Sequence, residues 1–76
     1  MFKATILTPN RVVYEGEAWS VFLPGTTGEF EVLEFHKPII SLLRRGKIVI
    51  DWKKEIAIKK GAVKMVKDEL VAIVEE

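Results

Sequence analysis

Cysteine is absent from the 76-residue chain, and histidine occurs once, as His36. Neither a disulfide nor a Cys/His metal cluster can therefore hold the fold together, and the lack of Cys suits a reducing compartment. A chain this short buries only roughly 60% of the surface its unfolded form exposes. Stability has to come from an apolar core or from a partner. An excess of one charge is also lacking. Twelve Lys and Arg face eleven Asp and Glu, a formal net charge of +1, with the two signs mixed along the chain. That excludes a broad basic field for nucleic acid. No run approaches the ~18–20 apolar residues of a membrane span, so a membrane role would be peripheral. The first residues do not read as a signal peptide, because Lys3 is the only early cation and Pro9-Asn10-Arg11 interrupts any apolar stretch.

What is present is a series of short β-type runs with turn punctuation. Phe2 to Thr8 is rich in strand-favouring residues and ends at Pro9-Asn10. Arg11 to Tyr14 reads as a second short strand broken at Gly16. Ala18 to Leu23 puts Trp19, Val21 and Leu23 on one face. Pro24-Gly25 reads as a turn, since Pro presets φ and Gly accepts a positive one. Phe30 to Leu33 is a short strand, and Ile39 to Leu43 is an apolar run expected to be fully buried. Arg44-Arg45-Gly46 turns the chain. Ile48, Ile50 and Trp52 then share a face, Lys53-Lys54 is a tight connection, Ile56 and Ile58 continue the alternation, and Lys60-Gly61 turns again. The tail admits two readings. Val63, Val66, Leu70 and Ile73 follow helical spacing. Five Val or Ile residues favour strands, which would be Ala62 to Val66 and Leu70 to Val74 around a Lys67-Asp68-Glu69 turn. With neither repeat nor linker, residues 1–76 form a single domain. The pattern predicts an all-β fold, a flattened sandwich of two short, mostly antiparallel sheets.

No group of residues reads as catalytic. His36 needs a nucleophile or a substrate proton within reach to act as a base. There is no Cys, and Ser20 and Ser41 lack a nucleophile signature such as G-x-S-x-G. His36 is expected to hydrogen-bond within the loop before Pro38. Gly25-Thr26-Thr27-Gly28 is not a phosphate loop, because neither the Lys nor the helix of that motif follows. Glu29, Glu31 and Glu34 form an acidic stretch suited either to a basic partner or simply to solvent. The basic stretches, Arg44-Arg45 with Lys47 and Lys53-Lys54 with Lys59-Lys60, read as solvated turns. Trp19, Trp52, Tyr14 and the four Phe are scattered, which suits core and interface packing better than a stacking platform for single strands.

One ordered set of residues carries a resemblance over essentially the whole chain. Leu7-Thr8-Pro9-Asn10-Arg11-Val12-Val13-Tyr14-Glu15-Gly16 opens it. Val21 and Leu23-Pro24-Gly25 follow, then Gly28, Val32-Leu33, His36 and Pro38, then Leu43 and Gly46. This order and spacing resembles the N-terminal β-sandwich of the epsilon subunit of F-type ATP synthases. The chain departs from that pattern at Glu31 (commonly Gly), Glu34 (Pro), Phe35, and Lys60-Gly61-Ala62 (Gly-Gly-Phe).

The resemblance implies a non-catalytic rotor subunit of the central stalk, without cofactor or metal. Such a subunit couples ion-driven rotation of the membrane c-ring to the gamma subunit and the catalytic head. It implies c-ring contact through Gly28, Glu29, Phe30 and Glu31, and a gamma-contact or loop-structural role for His36 and Pro38. The implied location is the cytoplasmic face of the cell membrane, held there only indirectly through the c-ring. The chain ends where that sandwich ends, so coupling without the C-terminal helical hairpin's brake is expected. The competing reading is a free-standing β-domain that binds a small ligand or single-stranded nucleic acid.

Overall fold

The computed structural model describes residues 1–76, and all nine of its regular elements are strands. They are β1 (Phe2–Leu7), β2 (Val12–Ala18), β3 (Ser20–Gly25), β4 (Gly28–Leu33), β5 (Ile39–Leu43), β6 (Gly46–Ile50), β7 (Lys54–Ile58), β8 (Lys60–Val66) and β9 (Glu69–Glu75). The tail is thus the strand hairpin β8–β9, turned by Lys67 and Asp68, both at positive φ. Helical spacing of Val63, Val66, Leu70 and Ile73 was a coincidence of two strand phases: Val63 and Leu70 point inward, while Val66 and Ile73 point out.

The first layer runs β2-β1-β9-β8-β5, and the second holds β3, β6 and β7 with β4 on the outer edge of β3. Only β1 and β9 pair in parallel. The layers are joined through β3. One edge of that strand pairs with β4 along its length; the other pairs with β6 at Val21 and Phe22, then with β5 at Gly25. Around that corner the Arg44 N–H donates to the Pro24 carbonyl (2.8 Å) and the Thr26 N–H to the Leu42 carbonyl (3.1 Å). The expected sandwich is therefore one continuous sheet bent into two layers.

Period-2 alternation fills the space between them. Phe2, Ala4 and Ile6 of β1, Leu70, Ala72 and Val74 of β9, and Val63 and Met65 of β8 face Val21, Leu23, Val32, Ile48, Ile50, Ile56 and Ile58 of the second layer. Ala18 and Leu43 complete a single buried cluster. Each large aliphatic side chain in it contributes about 1.5–3 kcal/mol by leaving water.

Several local expectations are corrected. β2 runs straight through Gly16, which pairs with Ala4. Pro24 and Gly25 belong to β3, and the turn is Thr26-Thr27, closed by the Gly25–Gly28 pair. Pro24 fits a strand here because β6 leaves this edge after Phe22, so no ladder bond needs the missing N–H. The β5 run is not fully buried: Ile40 is 81% and Leu42 64% exposed. Trp19 sits at the crossing between layers and Trp52 in the β6–β7 turn, both exposed, rather than on the core faces of their neighbours. That turn is Asp51-Trp52-Lys53, with Asp51 and Trp52 at positive φ, and Lys54 already begins β7. Lys60 and Gly61 are strand residues paired with Glu75 and Val74.

Candidate functional site

The residues singled out in the sequence divide between a hollow and its surroundings. Thr27, Gly28, Glu29, Phe30 and His36 line a shallow hollow closed on the far side by Ile39, Ile40 and Ser41. Gly28 takes up φ +141°, which lets the two-residue hairpin turn without positive φ at either Thr. Glu29 is exposed opposite Pro24. Phe30 points the other way, packs against the core, and leaves no room for a side chain at Gly25, where a Cβ would stand 2.9 Å from its ring. Glu31 lies outside the hollow, where its carboxylate accepts the Ser20 hydroxyl at 2.5 Å.

The His36 side chain serves its own loop. The His36 backbone N–H donates to the Leu33 carbonyl (3.2 Å), and the ring Nδ1 lies 2.7 Å from the Lys37 carbonyl. A carbonyl only accepts, so Nδ1 carries the proton. Ser41 donates to the Leu42 carbonyl (3.2 Å). The two are thus committed elsewhere and are not arranged as base and nucleophile. Pro38 is exposed just before β5. Gly25-Thr26-Thr27-Gly28 leads into a strand, not a helix, so its amides do not form a phosphate cradle.

The larger feature escaped the sequence reading. On the outer face of the first layer the register puts Val12, Leu7, Ile73, Ala62 and Leu42 opposite one another in turn, one from each of the five strands. This apolar row crosses the whole layer in the direction of its hydrogen bonds. Val12 and Ile73 are each 53% exposed, and Ile40 lies one row away on β5. Isolated exposed apolar residues are ordinary, but an aligned row marks an interaction surface. The available signal was alternation within Ile39 to Leu43, which a continuous apolar run conceals. At the opposite end, Asp51 Oδ1 accepts the N–H groups of Trp19 (2.6 Å) and Ser20 (3.1 Å), holding both tryptophans beside one turn.

Fold and surface together define a small β-sandwich that presents faces for assembly. The chain belongs to the family described as ATP synthase, Delta/Epsilon chain, beta-sandwich domain, whose profile matches residues 1–76. It is similar to the ATP synthase epsilon chain of Sulfurimonas denitrificans, 46% identical over 79 aligned positions, covering 96% of this chain and 59% of that relative. The epsilon chain of a Sulfurovum species is 38% identical, covering 99% and 62%. The chain thus spans about 60% of the length of these curated relatives. Among solved structures, the fold is shared with a chain of the Tetrahymena thermophila mitochondrial ATP synthase central stalk/c-ring (TM-score 0.82, 12% identity, 97% of this chain and 63% of that one). It is shared also with a chain of the Euglena gracilis mitochondrial ATP synthase OSCP/F1/c-ring assembly (TM-score 0.85, 15% identity, 96% and 49%).

Proposed function

We propose that this chain is a central-stalk subunit of an F-type ATP synthase, a non-catalytic element that links the gamma subunit to the c-ring. Family membership supports the complex, and the apolar row across the first layer carries the reading of how the domain attaches. A standard interface removes about 800 Å² per partner, roughly a sixth of the 4850 Å² surface of this chain. The outer face of one layer can supply that area. In this reading gamma lies over Leu42, Ala62, Ile73 and Leu7, with His36 and Pro38 shaping the rim. The hairpin from Gly28 to Glu31 meets the c-ring, with Glu29 as its exposed charge. Torque passes through a sandwich whose two layers are joined through β3. The domain works peripherally, at the cytoplasmic face.

The test is complex formation with the cognate gamma subunit at micromolar concentration. Leu42→Asp and Ile73→Asp each place a charge in the row and should reduce binding at least tenfold. Both side chains are more than half exposed, so thermal stability should stay within about 0.5 kcal/mol. Unchanged binding by both variants would remove gamma from this face.

A further inference from the structure

Two basic doublets far apart in sequence are brought together by the fold. The β5–β6 connector, Arg44-Arg45, and the β7–β8 connector, Lys59 followed by Lys60, both cross between layers at the same corner. The register fixes this: Leu43 pairs with Gly61 in the first layer, and Gly46 pairs with Ile58 in the second. Arg44 and Lys60 therefore follow one pair, and Arg45 and Lys59 flank the other. All four side chains are exposed, and none takes part in an ion pair. Four of the chain's twelve cations thus share one strip of a molecule whose formal net charge is +1.

Two of the neighbouring acids are already paired with cations outside the strip. Glu76 is held by Arg11 (2.9 Å) and Glu55 by Lys47 (3.1 Å). Glu75 pairs with Lys60 through the backbone ladder, with no carboxylate contact to a cation. Glu29, beyond Pro24, makes no ion pair either. The strip is fixed to the β3–β4 hairpin, because Arg44 donates from its backbone N–H to the Pro24 carbonyl (2.8 Å) and from Nε to the Gly25 carbonyl (3.2 Å). It therefore lies at the same end of the sandwich as the hairpin assigned above to the c-ring.

We infer that this four-cation strip is a docking site for an anionic phospholipid surface. It would add a direct membrane contact to attachment through protein partners. The choice of lipid rests on the rotor reading, which turns this end toward the membrane; the clustering of charge does not depend on it. Clusters of four or more Lys and Arg are attracted to acidic headgroups, each contributing about a five-fold gain in binding near the surface. The contact is electrostatic and weakens steeply with salt.

The experiment is sedimentation of the 76-residue chain with phosphatidylcholine vesicles, with and without phosphatidylglycerol. Binding should require phosphatidylglycerol and fade on raising salt. Arg45→Gln/Lys59→Gln leaves the Arg44 bonds intact and should weaken binding about twenty-five-fold, two five-fold steps. Lys53→Gln/Lys54→Gln removes the same charge at the far end and should change it less than two-fold. The inference is overturned if the chain ignores phosphatidylglycerol, or if the two double variants weaken binding equally. It is also overturned if the strip variant loses gamma binding while vesicle binding is untouched, which would assign the strip to an acidic protein. Complex formation with gamma is measured without lipid, so failure on vesicles and failure of the rotor reading are separate results.

Discussion

Replacing Gly25 by Ala should unfold the corner that joins the two layers. Gly25 pairs with Gly28 across the hairpin and with Leu43 across the bend. An added Cβ would stand 2.7 Å from the Gly28 carbonyl oxygen and 2.9 Å from the Phe30 ring. The ring can swing away, but the carbonyl belongs to the pair that closes the turn. Overpacking of this kind costs about 1–3 kcal/mol. For a domain of this size each kcal/mol shifts Tm by roughly 4–8 °C, so a mid-range cost lowers Tm by roughly 8–16 °C. Urea denaturation of the single and double variants with Phe30→Ala separates the two clashes. Gly25→Ala should cost at least about 0.5 kcal/mol less once the ring is gone, with a remainder due to the carbonyl. Two results would refute the reasoning: a Gly25→Ala stability within about 0.5 kcal/mol of the parent, or no coupling to Phe30.

Glu29→Lys should weaken association with the membrane sector, more so at low salt, while stability changes by no more than about 0.5 kcal/mol; parallel loss of Tm and of binding would contradict a surface role. Asp51→Ala removes the acceptor of two backbone N–H groups and puts Ala at φ 53°. It should cost about 1–3 kcal/mol and red-shift tryptophan emission as Trp19 loosens; an unchanged urea midpoint would show that solvent replaces the carboxylate freely.

Much of the fold was legible because inward strand positions follow period 2. Ile48/Ile50 and Ile56/Ile58 announce their face directly, and Thr8 through Arg11 form the expected turn, with Thr8 Oγ1 accepting the N–H groups of Asn10 and Arg11 (3.1 Å each). Pro24-Gly25 misled because a turn-forming pair is also what a strand uses where its partner departs. Trp52 misled because the alternation of Ile48 and Ile50 ends one residue earlier, at Asp51, whose positive φ swings the next side chain out of phase. The outer row was invisible for a different reason: each of its members is an unremarkable apolar residue in its own strand, and only inter-strand register aligns them. The basic strip follows the same logic, since no local pattern relates residue 44 to residue 60.

Parallel pairing of β1 with β9 also sets an order of events during synthesis. Lys3 through Leu7 need Glu69 through Ile73 as their second neighbour, and the Lys3 N–H is satisfied by the Asp68 carbonyl (3.0 Å). Until that late strand leaves the ribosome, β1 and β2 form only a lone hairpin, marginal in water and open along one edge. Non-local closure of this kind slows folding. The nascent domain therefore has a window in which its first strand can pair with a foreign one, and growth temperature or chaperone supply should act on yield through that window rather than through the stability of the finished sandwich.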